Sequence, residues 1–336
     1  MSVNTETTNQ GIVYKKSLGT YFVNVNGRSV VCSISSKLRK VLMLPPRDPK
    51  SLPYFKVYEV AEIKTVDPVA IGDEVRFVEG INDGGSADVR SNMIMEVLPR
   101  RNALMRLSPD QRKLKQVVVA NVDQVIAVVA AAKPVPDLVM LDRFLAMAEA
   151  ADIPAVVVIT KADQKMKDYV QQAIDDYRSI DYRVIVTSAV EGVGVDEFRE
   201  AITGRMSAFV GLSGVGKTTL LNATQPELGL RVNEVNKRTG EGRHTTTHLE
   251  MFSLEGGGAI VDTPGMREFA LWDVQGNELA LLFREMAPFV GTCKFGAGCQ
   301  HVHEPGCAIK KAVETGHIPD SRYRSYVKIL AMTDND

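Results

Sequence analysis

The sequence predicts a multidomain fold: an N-terminal OB-type β-barrel, a central α/β domain with a phosphate-binding loop, and a C-terminal zinc-binding module with helices. Three observations predict it. Short strand patterns separated by turns fill the region before residue 98, strand and helix patterns alternate after residue 115, and cysteines cluster with histidines after residue 290. A chain of 336 residues is long enough to bury the cores of two or three domains.

The predicted barrel covers residues 11–98 and follows a polar segment, residues 1–10, that we expect to be a disordered tail. Its clearest signal is Asn26-Gly27 between two apolar runs, because this dipeptide favours a two-residue hairpin turn. The predicted strands are residues 21–25, 29–34, 54–63, 74–78 and 93–97. About five short strands favour a small barrel, which either binds nucleic acid or serves only as a scaffold.

Residues 99–115 are predicted to be a basic linker between two domains. The segment carries six basic residues and a single acidic one, Asp110. Such a run either is merely solvated or contacts RNA phosphates, and the sequence leaves both interpretations open. The net charge of the whole chain is only −1, so nothing global indicates a nucleic-acid partner.

Strands alternate with helices in the third predicted domain, residues 116–275. Residues 124–130 form a buried apolar strand, and Asp137 is a candidate N-cap for a helix with apolar residues at three- and four-residue spacing. Residues 155–159 read as the next strand. This alternation predicts a parallel sheet covered by helices.

A phosphate-binding loop lies inside this domain, between a short apolar strand and a predicted helix. It fits the pattern of Gly, four residues and Gly-Lys-Thr. Its backbone N–H groups and the helix N-terminus favour a phosphate group, Lys217 would reach the β- and γ-phosphates, and Thr218 would bind Mg²⁺. The predicted nucleotide-binding residues here are Gly211, Leu212, Ser213, Gly214, Val215, Gly216, Lys217, Thr218 and Thr219.

Two further loops indicate that the nucleotide base is guanine. Thr160, Lys161 and Asp163 occupy the positions of an Asn-Lys-x-Asp motif, in which the carboxylate accepts two hydrogen bonds from guanine. Adenine lacks that pair of donors and would leave the Asp163 carboxylate unpaired. Ser188 and Ala189 follow the next predicted strand, where a Ser-Ala loop supports the same base through backbone N–H groups. Thr160 departs from the usual Asn.

The remaining motifs serve Mg²⁺ and the γ-phosphate. Three successive threonines follow the phosphate loop, and Thr246 is our candidate for the Mg²⁺ ligand, with Thr245 and Thr247 left open. Asp262, after an apolar strand, would hold Mg²⁺ through water, and the Gly265 N–H would meet the γ-phosphate. The predicted Mg²⁺ set is therefore Thr218, Thr246 and Asp262.

The order of these motifs is unusual, because the two base-recognition loops precede the phosphate loop. The pattern predicts a circularly permuted domain, since termini that lie close together can be joined and the chain opened elsewhere. Met266 stands where many GTPases carry a water-orienting Gln, and its side chain makes no useful hydrogen bond to water. His244 is the candidate to orient or deprotonate the attacking water, and an ordinary surface histidine is the alternative.

The C-terminal domain, residues 276–336, carries a predicted structural zinc site. Cys293, Cys299, His301 and Cys307 supply three sulfurs and one nitrogen at short spacing, with His303 as a spare. This clustering is typical of metal ligands in a reducing compartment, so we expect a cytoplasmic protein. The polar N-terminus has no signal sequence, and the longest apolar stretch is broken by polar residues, so no membrane span is expected.

The whole set resembles the RsgA (YjeQ) family of bacterial small-subunit ribosome biogenesis GTPases. The resemblance depends on the phosphate loop, the run Gly242 to Thr247, Asp262 to Gly265, and His301 to Cys307. Thr160 and the five residues between Cys293 and Cys299 depart from the family pattern. The resemblance implies a GTPase that uses GTP with Mg²⁺ and carries one structural zinc ion.

The resemblance further implies late maturation of the 30S subunit, binding to 16S rRNA, and release after hydrolysis to GDP. We expect a monomer. Two other classes remain open at the level of sequence. One is a P-loop ATPase or kinase that acts on a small molecule, and the other is a nucleotide-regulated RNA-binding scaffold with incidental hydrolysis.

Overall fold

The computed structural model describes residues 8–17, 19–35, 38, 42–43, 59–60, 67–82, 90–107, 115–230, 250–262 and 278–333. The strands are β1 (Thr8–Ser17), β2 (Thr20–Val25), β3 (Arg28–Ile34), β4 (Leu42–Met43), β5 (Glu59–Val60), β6 (Glu74–Asn82), β7 (Arg90–Val97), β8 (Ala103–Leu107), β9 (Lys115–Ala120), β10 (Gln124–Ala130), β11 (Ala155–Thr160), β12 (Arg183–Val186), β13 (Met206–Val210), β14 (Glu250–Ser253) and β15 (Ala259–Asp262). The α-helices are α1 (Leu138–Ala150), α2 (Asp168–Ser179), α3 (Val195–Ile202), α4 (Lys217–Thr224), α5 (Ala308–Glu314) and α6 (Asp320–Thr333).

The chain divides into two compact units. The first contains the described residues up to Asn121 together with Glu250 and Met251, and the second contains the described residues from Val122 to Thr333 apart from those two. None of the helices among the described residues combines the length and the apolar character that crossing a membrane requires.

The first unit contains a closed five-stranded barrel. Its strand order is β1-β2-β3-β7-β6, and β6 pairs back onto β1. All these pairs are antiparallel except β3 with β7. This is the arrangement of an OB-type barrel, and it confirms the fold that the short strands predict. Buried Val13, Val23, Phe77 and Ile94 lie in its core.

The predicted hairpin between β2 and β3 is confirmed. Val25 pairs with Arg28, which leaves Asn26 and Gly27 as a two-residue turn. Both turn residues have positive φ, 51° and 88°, as a type I′ turn requires. The predicted strand at residues 54–63 is described only as β5, and its other residues lie outside the described part of the chain.

The structure differs from the prediction at the start of the barrel. β1 begins at Thr8, and Thr8, Asn9 and Gln10 pair with Val78, Phe77 and Arg76 of β6. These three residues therefore belong to the barrel and not to the expected tail. Because their side chains are polar, the sequence shows no strand pattern there, and the partner strand lies far along the chain.

The segment predicted to be a basic linker contains β8, which pairs with β9, a strand that begins at the last residue of that segment, Lys115. Arg100 is held against the barrel by two hydrogen bonds of 2.7 Å to the fully buried carboxylate of Asp73. β9 continues this attachment through Ala120, whose N–H donates to the Ile71 carbonyl at 2.8 Å. For Arg100 the structure therefore supports packing and not a solvated charge.

The second unit contains a parallel sheet in the order β12-β11-β10-β13-β15. The three inner strands of this set are almost entirely apolar, as strands buried on both faces usually are. Phe198 and Ile202 of α3 pack with Leu220 and Leu221 of α4 in a core with sheet residues such as Phe209. The carboxyl ends of β10, β11, β12 and β13 lie at one edge of the sheet, where α/β folds bind ligands.

Helix α1 begins after the predicted N-cap, and the Asp137 carboxylate accepts the Met140 N–H at 2.9 Å. Helices α5 and α6 follow Cys307, the last of the candidate metal ligands, and belong to the same compact unit as the sheet. The domain boundary predicted at residues 275 and 276 therefore does not separate two compact units. The reason is a set of buried contacts between α6 and α1, which is described below.

Candidate nucleotide and metal sites

The phosphate loop joins β13 to α4, as the sequence predicts. Gly211 has a φ of 152°, and a Cβ there would lie 2.6 Å from the Val128 carbonyl oxygen, so only glycine fits against β10. Gly216, with a φ of 101°, is the N-cap of α4. The Lys217 ammonium group donates to the carbonyls of Gly211 at 2.7 Å and Leu212 at 3.0 Å. The lysine thus lies over its own loop, where phosphate oxygens would compete for the same donor.

The base-recognition loop is hydrogen-bonded directly to the phosphate loop. The buried Thr160 hydroxyl donates to the Val215 carbonyl and, at 3.3 Å, to the Val129 carbonyl. The Lys161 ammonium group donates to the Gly214 carbonyl at 2.7 Å. Burial lowers the pKa of Lys161, and the nearby Asp163 carboxylate opposes that shift. These hydrogen bonds join two loops that lie some fifty residues apart in the sequence.

The Asp163 carboxylate faces the Ser-Ala loop. One of its oxygens accepts the Ser188 hydroxyl at 2.8 Å, and the same hydroxyl accepts the Glu191 N–H at 3.1 Å. Ser188 is fully buried, whereas Asp163 is exposed. The carboxylate is thus fixed at one oxygen and open to solvent, as recognition of a base would require.

Some predicted residues lie outside the described part of the chain or are described only in part. His244, Thr245, Thr246, Thr247 and Gly265 are outside the described residues. The backbone of Asp262 ends β15, opposite Phe209 of β13, but its side chain is not among the described atoms. Thr218 lies in the first turn of α4 and is half-buried. The Mg²⁺ set therefore stays a prediction.

The four predicted metal ligands meet at one point. The ligand atoms of Cys293, Cys299, His301 and Cys307 all lie within 4.8 Å of one another, and all four residues are buried. The His301 Nδ1 atom lies 3.4 Å from the sulfurs of Cys293 and Cys307, which are 3.8 Å apart.

These separations suit a tetrahedral ion. With metal–sulfur bonds of about 2.3 Å, two sulfurs would lie about 3.8 Å apart, and a sulfur and an imidazole nitrogen about 3.6 Å apart. Burial raises the pKa of the Cys299 thiol to about 12, so a bound cation would have to displace a proton there. His303 is exposed and is not part of the cluster.

Sequence reasoning missed the role of Glu304 in shaping the metal-binding loop. Its carboxylate accepts the backbone N–H groups of Gln300 at 2.9 Å, Val302 at 3.0 Å and His303 at 3.1 Å. Burial alone would raise the pKa of Glu304, but the backbone donors outweigh it and lower the pKa to about 2. A lone acid among metal ligands gives no sequence signal for this role.

The loop after β10 was also missed as part of the nucleotide site. The Lys133 carbonyl accepts the Lys161 ammonium group at 2.9 Å, and the Ala131 N–H donates to the Thr160 carbonyl at 2.8 Å. The available signal was topological. β10 lies between β11 and β13, so its carboxyl end must lie beside both predicted loops.

A phosphate loop fixed to a base-recognition loop that precedes it in the chain defines a circularly permuted P-loop GTPase, here with an OB-type barrel and a Cys3His cluster. The RsgA GTPase family model matches residues 97–272. A small ribosomal subunit biogenesis GTPase RsgA from Phocaeicola vulgatus is 34% identical over 325 residues, which is 96% of each chain. The chain belongs to the RsgA GTPase family.

Solved structures agree with this assignment. YjeQ from Thermotoga maritima superposes with a TM-score of 0.69 at 31% identity, over 97% of this chain and 98% of that one. YloQ, described as a circularly permuted GTPase, superposes with a TM-score of 0.65 at 27% identity, over 100% of this chain and 99% of that one. The similarity therefore includes the barrel and the metal-binding segment as well as the nucleotide domain.

Proposed function

We propose that this chain is a GTPase that acts as an assembly factor in late maturation of the 30S ribosomal subunit, binds 16S rRNA and is released after hydrolysis. Membership of the RsgA GTPase family supports the partner and the reaction. The observation that carries the nucleotide half is the pair of hydrogen bonds from Thr160 and Lys161 to carbonyls of the phosphate loop. They join base recognition to phosphate binding at one edge of the sheet.

Each part of the site has a proposed role. The Asp163 carboxylate would accept the N1–H and amine of guanine, with support from Ser188 and Ala189. Lys217 would exchange its loop carbonyls for phosphate oxygens, and Mg²⁺ would be held by Thr218, Thr246 and Asp262. Mg²⁺ would neutralise charge that develops on the phosphates. His244 would orient the attacking water, because Met266 does not.

We propose that the Cys3His cluster holds one structural zinc ion. Three sulfurs and one nitrogen within 4.8 Å of one another are the donor set that zinc takes in closed sites, and no ligand position is left for water. A cluster of free cysteines that suits a metal ion supports a cytoplasmic location. One chain supplies all four ligands, so the metal site needs no second copy, and we propose a monomer as the working form.

The test is GTP turnover by the full chain with and without purified 30S subunits, with ATP as the competing substrate. We expect slow turnover alone, stimulation of at least tenfold by the subunits, and no comparable use of ATP. His244→Ala should lose most of the stimulated turnover and keep GDP affinity, since His244 is proposed to act on water and not on the base.

Three results would contradict parts of this proposal. Turnover that does not respond to 30S subunits removes the ribosomal role. ATP turnover of equal size removes guanine recognition and returns the chain to a P-loop ATPase or kinase. Full stimulation in the His244→Ala variant assigns the water to another group.

A further inference from the structure

A buried cluster of charged residues joins α6 to α1. The side chains of Arg322, Asp142 and Glu285 are each 2% exposed. The Arg322 guanidinium group donates to both acids, with a distance of 2.7 Å from Nε to Glu285, and the Tyr177 hydroxyl of α2 donates to Asp142 at 2.6 Å. One arginine of the C-terminal module thus holds α1 directly and α2 through Tyr177 and Asp142.

The same helix holds the metal-binding loop with its next residues. The Tyr323 hydroxyl donates to the His301 carbonyl at 2.8 Å, and the Tyr326 hydroxyl donates to the Gln300 carbonyl at 2.8 Å. The Phe283 ring packs against Arg322 and Tyr326. Its centre lies 4.4 Å from the Arg322 guanidinium carbon and 5.6 Å from the centre of the Tyr326 ring. Helix α6 therefore connects the metal ligands to α1 within a few residues.

The amino ends of α1 and α2 lie beside the guanine-recognition loop. The loop that leads into α1 accepts the Lys161 ammonium group at the Lys133 carbonyl. The Tyr169 hydroxyl of α2 donates to the Pro136 carbonyl of the same loop at 3.3 Å. A displacement of α1 or α2 would therefore move groups that hold Lys161.

Buried charges make this connection stiff. Removal of one partner of a buried ion pair is strongly destabilising, because an uncompensated charge is left behind. Well-packed apolar residues would stabilise the same junction about as well, so stability alone does not account for the charges. The hydrogen bonds of the Arg322 guanidinium group to Asp142 and Glu285 are directional, which apolar contacts are not.

From this geometry we infer that Arg322 is a positioning residue that couples the C-terminal metal site to guanine-nucleotide binding. Occupancy of the metal site then raises the affinity for GDP, and GDP raises the affinity for the metal by the same factor, as reciprocity of binding free energies requires. The inference rests on the proposed guanine-nucleotide binding. It concerns binding and not the hydrolysis step.

The experiment measures zinc affinity of the full chain by competition with a chelator of known affinity, with and without saturating GDP. Fluorescent GDP is titrated in parallel into zinc-loaded and zinc-free protein. We expect each ligand to tighten the other by the same factor of about fivefold or more, the lower end of typical couplings. Neither readout depends on catalytic activity.

Arg322→Lys keeps the positive charge but removes the guanidinium group that hydrogen-bonds to Asp142 and Glu285 at the same time. The coupling factor should therefore fall towards one, while zinc and GDP still bind. Should that variant fail to fold, Tyr323→Phe with Tyr326→Phe removes only the two hydroxyl contacts to the metal-binding loop and should lower the factor as well. The matched control is Arg324→Gln, which breaks an exposed ion pair with Asp320 on the same helix and should keep the factor.

A purely structural role for Arg322 would change the melting temperature and leave the coupling factor as it is, and that result overturns the inference. A coupling factor of one in the unmodified protein, with both ligands bound, overturns it too. Failure of the unmodified protein to bind GDP is a different result, because it removes the proposed function itself and this inference with it.

Discussion

The nucleotide site and the metal site of this protein are built in opposite ways. The nucleotide site collects loops from four strands of a buried parallel sheet, and backbone carbonyls hold its side chains in position. The metal site lies within one short segment, from Cys293 to Cys307, whose only regular structure is a single 3-10 turn. The sheet orders the first site, whereas the ligands of the second lie on a loop with little regular structure.

In the first site the packing of the fold positions the side chains before a ligand binds. In the second site the bonds to the ligand would do so. Strands β10 and β11 are fully buried along their length, so the positions of Thr160 and Lys161 follow from the packing of the sheet. At the metal site, buried thiols and an imidazole converge on a loop with little regular structure, and the bonds to the ion would hold that loop in place. The largest effects of substitution should therefore appear in the metal-binding segment.

Loss of the metal should have the largest effect. Removal of the ion with a strong chelator, or Cys307→Ser, is expected to unfold residues 290–333, because apparent binding energies of structural zinc are about 10–16 kcal/mol. Serine keeps an oxygen that can replace the sulfur as acceptor of the Lys310 N–H at the start of α5, so the change tests the metal bond and not the helix cap. Circular dichroism and limited proteolysis would follow the loss.

The matched control for this prediction is His303→Ala, which removes an exposed histidine of the same loop. It should keep the metal and the proteolysis pattern of the unmodified protein. If Cys307→Ser retained one metal ion per chain, or if His303→Ala lost it, the assignment of the four ligands would be wrong.

Asp163→Ala should have the next largest effect, on affinity for GDP. Two hydrogen bonds from guanine to a carboxylate are lost, at about 2–4 kcal/mol together, which corresponds to about 30- to 1000-fold. Asp163→Asn should bind xanthosine diphosphate better than GDP, because xanthine carries a carbonyl where guanine carries the amine. Titration with fluorescent nucleotides measures both changes.

Asp168→Asn is the control for charge, since this exposed acid begins α2 just beyond the same loop. Its affinity for GDP should stay within about twofold of the unmodified protein, as for most exposed charges. If Asp163→Ala bound GDP as tightly as the unmodified protein does, Asp163 would not be the residue that recognises the guanine base.

The elements that were predicted correctly have strong local signals. Asn26-Gly27 alone predicts its hairpin, and the phosphate loop is predicted by its glycines together with the strand before it and the helix after it. The convergence of the four candidate metal ligands follows from residue type and spacing. In each case the residues that decide the structure lie within about fifteen positions of one another.

Apart from Glu304, the missed features depend on partners far along the chain. The first residues of β1 are polar and pair with β6 nearly seventy positions later. Arg100, in a basic run for which the sequence leaves solvation and RNA contact open, is paired with buried Asp73. Arg322 lies 180 positions from Asp142, and a charged residue in an amphipathic helix normally faces water. Only the tertiary structure brings such pairs together.

Thr160→Val should have the smallest of these effects, and it tests whether the sheet really prepares the nucleotide site. Valine matches threonine in shape but leaves the Val129 and Val215 carbonyls without the hydroxyl donor. We expect a loss of about 1–2 kcal/mol in the free energy of unfolding and a five- to thirtyfold weaker affinity for GDP. Thermal unfolding and nucleotide titration measure the two quantities.

Thr160→Ser keeps the hydroxyl, so it should show little of either loss that Thr160→Val causes. Thr160→Asn supplies the amide that guanine-binding loops usually carry. If valine lowered the stability but left GDP affinity unchanged, the bond between the two loops would serve the fold alone. The rigidity of the phosphate loop would then come from the packing of Gly211 against β10, without help from the base-recognition loop.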